Sequence, residues 1–261
     1  MENLKNFKAM AFFDLDGTLL NAESKVDSEV AGALAELRRN DVLPLIATGR
    51  GHFELSQIMA DSGITGAIAM NGQYIVLDGE VVYKEAIPVQ SIENLLTAVH
   101  RRDEALAFYD SSHYWVSDLT EFALKAYEYT HQVLPSESED FYRTNEVNML
   151  LVLTDKLSHV ELYKSEVPEL NYFKNSPFSI DVTNASTNKG TGVEHAKQLL
   201  GFDGPTYGFG DGRNDLHLLE ACDYRTAMGN AVPELKEVAD FISSANTNHG
   251  IVNAFKHWGL I

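Results

Sequence analysis

This sequence predicts an α/β fold that carries an inserted α+β domain. Three features predict it: a βαβ opening, a change of texture in the middle of the chain, and a return of the opening pattern near the end. The apolar run Ala9 to Phe13 reads as a buried strand, Ser28 to Asn40 as an amphipathic helix and Val42 to Ala47 as a second strand. Val30, Leu34 and Leu37 form one apolar stripe on that helix; Asp27 or Ser28 caps its start, and Asn40-Asp41 stops it. A helix from about His52 to Ser62, a short strand Ala67 to Met70 and a hairpin turning at Asp78-Gly79 follow.

From about Lys84 to Asn184 aromatic residues crowd in. Short strands are expected at Ala105 to Tyr109, Tyr114 to Val116, Asn148 to Leu153 and Phe178 to Val182, with helices at about Ile92 to Arg102, Leu119 to Tyr129 and Lys156 to Val167. The stretch lacks the Gly/Ser or Pro bias of a flexible linker, so it reads as a folded insert. The first pattern resumes with a helix near Gly192 to Leu200, a strand Thr206 to Phe209, a helix Leu216 to Cys222 and a last helix around Pro233 to Phe241. The expected division is residues 1–83 and 186–261 for the main domain and 84–185 for the insert. No internal repeat is present.

With 261 residues the chain is long enough for a main domain and a smaller second one. A formal net charge of -18 argues against nucleic acid or an anionic membrane as partner, since both call for clustered Lys and Arg. Small molecules are the expected partners. Cys222 is the sole cysteine, which excludes an internal disulfide, fits a reducing compartment and reads as buried filler. The N-terminus lacks the pattern of a signal peptide and no apolar run reaches membrane-spanning length, so a cytoplasmic protein is expected.

Four short motifs carry the chemistry. The first strand ends in Asp14-Leu15-Asp16-Gly17-Thr18, two carboxylates where a buried strand gives way to a glycine turn, and strand ends are where open α/β sheets bind ligands. Alone this is also compatible with a plain polar turn; a calcium loop is excluded by spacing, because Thr18 is followed by Leu19 rather than a glycine. The second strand ends in Thr48-Gly49-Arg50, bringing a hydroxyl and backbone N–H groups to the same edge as phosphate donors. The bland alternative is a strand-to-helix turn with a solvated arginine. Lys189, in Asn188-Lys189-Gly190-Thr191-Gly192, stands where its ammonium can join a helix N-terminus in neutralising an anion, and the spacing is not that of a Walker A loop. Gly210-Asp211-Gly212-Arg213-Asn214-Asp215 closes another short strand, with glycines that leave Asp211 free to approach a metal or another backbone.

In this order, DLDGT, Thr48, Lys189 and GDGRND resemble the four motifs of the haloacid dehalogenase superfamily of phosphotransferases, without departure. The chain looks most like the Cof-type, sugar-phosphatase-like branch, whose large cap of type IIB lies between the second and third motifs, and the likeness covers essentially the whole chain. Asn71-Gly72 and the tail GNAVPELKEVADFISSANTNHGI also look typical of that branch. The resemblance implies a Rossmann-like core, with a central mostly parallel sheet flanked by helices, and an inserted α+β cap that works as a lid, excluding water and choosing substrates. It implies Mg²⁺ as cofactor, a small phosphorylated metabolite as partner, and phosphate-ester hydrolysis through an aspartyl-phosphate. Asp14 is then the nucleophile and Asp16 the acid and base. Asp14, the Asp16 carbonyl and Asp211 hold the metal. Lys189, Thr48 and Asn214 hold phosphate, with Leu15 and Gly49 among the phosphate-binding positions. Asp215 would orient Lys189 or a metal-bound water. An aspartate at position 16 favours phosphoesters over the dehalogenase branch, because an alkoxide leaving group needs a proton and a halide does not.

Two other readings stay open at this point: a sugar phosphomutase using the same intermediate, and a non-catalytic binding protein that keeps the fold. The nine histidines form no HxxxH or HExxH pair that would mark a zinc site. His113, Tyr114 and Trp115 read as cap core, with substrate contact as the alternative.

Overall fold

The structure is a computed structural model that describes residues 7–130, 132–174 and 176–261. Residues 1–6, read above for a leader, lie outside the described residues, as does His131. In chain order the first elements are β1 (Ala9–Phe13), α1 (Ser28–Arg39), β2 (Val42–Ala47), α2 (Ser56–Ser62), β3 (Gly66–Ala69), β4 (Tyr74–Leu77) and β5 (Glu80–Lys84). Next come α3 (Val89–His100), β6 (Ala105–Tyr109), β7 (Tyr114–Val116), α4 (Glu121–Tyr129), β8 (Ser136–Glu137), β9 (Met149–Leu153), α5 (Val160–Glu166), β10 (Leu170–Phe173) and β11 (Ser179–Asn184). The last are α6 (Lys189–Leu200), β12 (Thr206–Gly210), α7 (Leu216–Glu220), β13 (Tyr224–Ala227), α8 (Pro233–Val238), β14 (Phe241–Ile242) and α9 (Gly250–Trp258).

The chain divides into two compact units: the stretch up to Tyr83 together with Asn188–Ile261, and the single stretch Lys84–Thr187. The first unit is built on an eight-stranded sheet in the order β14-β13-β12-β1-β2-β3-β4-β5. From β14 to β3 the neighbours are parallel, and β4 returns antiparallel to β3. The hairpin turn holds Asp78 and Gly79 at φ 51° and 79°, the left-handed pair that a two-residue turn requires. β1 is central, so its side chains are buried on both faces. Met10 and Phe12 pack with Val193, Ala196 and Leu200 of α6, while Phe13 stacks on Phe209 and meets Phe255 of α9 edge-on.

After β1 the chain crosses to β2 on one side, and after α6 it enters β12 on the other. That makes the C-terminal end of β1 the topological switch point of the sheet, the crevice where open α/β sheets bind ligands.

The second unit has its own sheet, β10-β11-β9-β6-β7-β8, mostly antiparallel with β7 and β8 parallel. Leu106, Phe108, Leu150, Val152, Ile180 and Val182 project from alternate strand positions into one apolar core with Leu95 and Val99 of α3 and Val160 and Tyr163 of α5.

Several elements differ from the sequence reading. The helix expected from His52 to Ser62 is a 3₁₀ turn His52–Glu54 followed by α2, because the Glu54 carboxylate folds back onto the Gly51 N–H at 2.6 Å and closes the first turn on itself. β3 ends at Ala69, since Met70 and Asn71 both take φ 52°. Helix α6 begins at Lys189 rather than near Gly192. The helix around Pro233 is not the last, because β14 and α9 follow it. Among the described residues no helix is long and apolar enough to cross a membrane.

Candidate active site

Asp14 leaves β1 at the switch point with its own N–H still paired to Phe209 O at 3.0 Å, so the strand register fixes where its carboxylate stands. The turn Leu15–Leu19 follows, and Gly17 occupies φ 80°, where a side chain would be strained. A Cβ there would also overlap the Asp211 carboxylate, so glycine is needed twice over. Thr18 donates to Asp211 Oδ1 at 3.0 Å, tying the first motif to the fourth.

Lys189 is the first residue of α6, which Asn188 caps by accepting the Thr191 N–H at 3.0 Å. Its ammonium is fully buried and lies 2.6 Å from Asp14 Oδ1 and 2.7 Å from Asp215 Oδ1. Gly190 lets this helix start press onto the backbone of His217, where a Cβ would collide with the carbonyl oxygen. Asp215 uses its other oxygen for the N–H groups of Asp211 and Gly212, both at 2.9 Å. Both Asp215 oxygens are therefore engaged, one holding Lys189 and the other shaping the loop that carries Asp211.

Asp14, Asp211 and Asp215 offer oxygens within 4.8 Å of one another. Burial, and then the charge of Asp215, hold the Asp14 carboxyl well above the usual carboxylate range even though Lys189 pulls it down. Burial and Asp215 likewise push Asp211 up to about 6. Burial works against the Lys189 charge, but Asp14 and Asp215 outweigh it and raise the ammonium's proton affinity. Three carboxylates around one ammonium are an excess of negative charge in a confined space, and hard oxygen donors with such an excess fit a divalent cation such as Mg²⁺. Asp14, Asp211 and Asp215 could hold such an ion between them.

Thr48 lies beyond the end of β2, buried, with its N–H on Ile68 O at 2.9 Å, its hydroxyl accepting from Arg50 N at 3.1 Å and its carbonyl accepting from Asn71 N at 2.9 Å. Gly49 follows it in the same turn, and buried Leu15 opens the DLDGT turn. The Asp16 carboxylate stands apart from the Lys189 cluster: it is gripped by Arg50, whose Nε and Nη2 donate to its two oxygens at 2.8 and 2.5 Å. Asn214 is half-buried, and among the described residues no hydrogen bond links it to the cluster.

Three participants escape a reading of the motifs alone. Thr18 lies inside DLDGT with no role assigned. Arg50 reads as a solvated arginine and is instead paired to Asp16. Asn230, within the tail string, donates to Gly17 O at 2.8 Å and is itself held by Asn246 N at 3.0 Å. The tail stands out in the sequence only by its likeness to the Cof-type branch, which gives Asn230 no role of its own.

The comparisons with known proteins agree on one group. The family model described as haloacid dehalogenase-like hydrolase matches residues 11–255. YkrA of Bacillus subtilis (strain 168) is 32% identical, over 97% of this chain and 98% of its own. Phosphatase YwpJ of the same organism is 26% identical over 94% and 97%. Among solved structures, the haloacid dehalogenase subclass IIB sugar phosphatase BT4131 superposes with a TM-score of 0.87 at 28% identity, covering 97% of this chain and all (100%) of that one.

Proposed function

This chain belongs to the haloacid dehalogenase-like hydrolase family and is one of its phosphatases, and we propose that it hydrolyses small phosphate monoesters, sugar phosphates or compounds like them, through an aspartyl-phosphate on Asp14 with Mg²⁺ as cofactor. The observation that carries the reading is the buried Asp14–Lys189–Asp215 array at the switch point of the sheet, with Asp211 beside it and Thr48 at the end of the neighbouring strand. The name of BT4131 supports sugar phosphates as the substrate class.

Asp14 would attack phosphorus with one carboxylate oxygen while the bond from phosphorus to the alkyl oxygen breaks, and Asp16 would give its proton to the departing alkoxide. In the second step Asp16 would take a proton from water as that oxygen attacks the phosphorus. The Asp14–phosphorus bond then breaks and inorganic phosphate leaves. Lys189, Thr48, Asn214 and the backbone at Leu15 and Gly49 would hold the phosphoryl oxygens, whose charge spreads as the bonds exchange. Asp215 fixes the Lys189 ammonium, so the cation is in place before substrate arrives. Asp14, Asp211 and the Asp16 carbonyl would hold Mg²⁺, which when bound offsets the charge gathered between the carboxylates and the phosphate.

Phosphate release from a panel of sugar, nucleotide and cofactor phosphates tests this, in Mg²⁺ and in EDTA, for the native chain and Asp14→Asn. Release that needs Mg²⁺ and drops at least about a thousandfold in the variant is expected. Release that persists in the variant would overturn the aspartyl-phosphate route.

A further inference from the structure

We propose that Arg50 is the positioning residue of the Asp16 carboxylate: it holds the group that serves the leaving oxygen in a single orientation. This deepens the function proposed above and rests on it. Asp16 follows a strand end and precedes Gly17, and its side chain is 58% exposed. Left alone, a carboxylate so open to water would sample several rotamers, and only some of them would reach a leaving oxygen. Arg50 meets it side-on, with Nε 2.8 Å from Oδ2 and Nη2 2.5 Å from Oδ1, so two parallel bonds fix both the position and the plane of the carboxylate. Among the described residues no other side chain is hydrogen-bonded to that carboxylate.

Arg50 is itself well anchored. Its N–H donates to the Thr48 hydroxyl at 3.1 Å, its carbonyl accepts the Met70 N–H at 3.0 Å, and its side chain is 26% exposed, less than half the figure for Asp16. The turn that presents Thr48 therefore also presents the guanidinium. Burial works against the Arg50 charge, but the bond to Asp16 and the charges of Asp16, Glu54 and Asp14 outweigh it, so the arginine remains a cation in this pairing. A pair with so exposed a member adds little to stability, so its consequence falls on orientation.

An arginine favours the ionised form of its partner, so Asp16 takes up the proton it gives the leaving oxygen once the charge of the substrate phosphate is beside it, and the orientation of that donor matters most when the leaving group is a poor one. Phenyl phosphate and p-nitrophenyl phosphate differ little in shape, but the second expels an oxyanion that hardly needs the proton. Arg50→Ala should lose kcat on phenyl phosphate at least about tenfold more than on p-nitrophenyl phosphate, with KM for both within about twofold of native. Arg50→Lys, which keeps the charge and loses the fork, should fall between native and Arg50→Ala. The double variant Asp16→Asn/Arg50→Ala should be no slower than Asp16→Asn alone. If circular dichroism shows that Arg50→Ala has lost its fold, Arg50→Gln gives the same readings.

Equal losses on the two esters, a loss carried mainly by KM, or additive losses in the double variant would overturn the proposal and leave the phosphatase reading intact. A native protein that hydrolyses neither ester nor any compound of the sugar, nucleotide and cofactor panel in Mg²⁺ would overturn both.

Discussion

At Gly17 the demands of backbone and charge coincide. The residue lies at φ 80°, the Asp211 carboxylate occupies the space a Cβ would fill, and Asn230 holds its carbonyl at 2.8 Å. Gly17→Ala should therefore push Asp211 aside as well as straining the turn, which costs about 1 kcal/mol on its own. The expected result is a protein that unfolds within a few degrees of native but binds Mg²⁺ at least about tenfold more weakly, measured by calorimetric titration. Unchanged Mg²⁺ affinity would remove Asp211 from the proposed metal site. Residue by residue, the placement of Asp14, Lys189 and Asp211 at strand ends and a helix start was legible in the sequence, because each sits in a motif beside an apolar run or a helix pattern. Arg50 and Asn230 were not, because their partners are 34 and 213 positions away and only the tertiary fold brings them together.

Elements were legible where one periodicity ran long enough. α1 and the central strands of the first unit follow their apolar patterns closely, whereas the two-residue strands β8 and β14 are too short to show any. α6 starts earlier than its apolar stripe suggests because Asn188 and Thr191 form a capping box there, while Gly190 and Gly192 are weak helix formers whose place is close packing: Gly190 lies against the His217 backbone and Gly192 against Ile68 and Gly72. In the second unit, α5 ends on Glu166, which accepts from Arg101 at 2.9 Å and from Arg102 at 2.5 and 3.1 Å just beyond the end of α3. The Arg102 hydrogen bond, with the charges of Arg102 and Arg101, holds the Glu166 carboxyl below its usual range although burial works against it. A carboxyl depressed in the folded state stabilises it above the unfolded value of 4.5, and that contribution fades as pH falls through the lower folded value. Glu166→Gln should then cost up to about 1 kcal/mol at neutral pH and nothing measurable well below the folded value, in urea titrations at the two pH values. A cost independent of pH would show that Glu166 acts through packing rather than charge.

At the scale of the molecule, aromatic-rich short strands replace the βαβ rhythm near Lys84 in the sequence, and in the structure the chain forms two compact units, each closing its own apolar core. The two tryptophans fall one to each: Trp115 stacks on Phe141 at 3.8 Å in the second unit, and Trp258 packs on Tyr224 and donates to Thr226 at 2.9 Å in the first. Single-tryptophan variants, Trp115→Phe and Trp258→Phe, therefore report the two cores separately. The Asp14, Asp211 and Asp215 carboxylates all belong to the first unit, so a cation bound there stabilises the core that Trp258 reports. Mg²⁺ at ten times its dissociation constant adds about 1.4 kcal/mol to whatever unit it binds. In urea at constant ionic strength, the Trp258 midpoint should rise with Mg²⁺ by that free energy divided by the urea m-value, and the Trp115 midpoint should stay where it is. Asp211→Asn should abolish the rise. If both midpoints move together, the units unfold as one cooperative body, and the stabilisation gained at the carboxylates is shared by residues 84–187 as well.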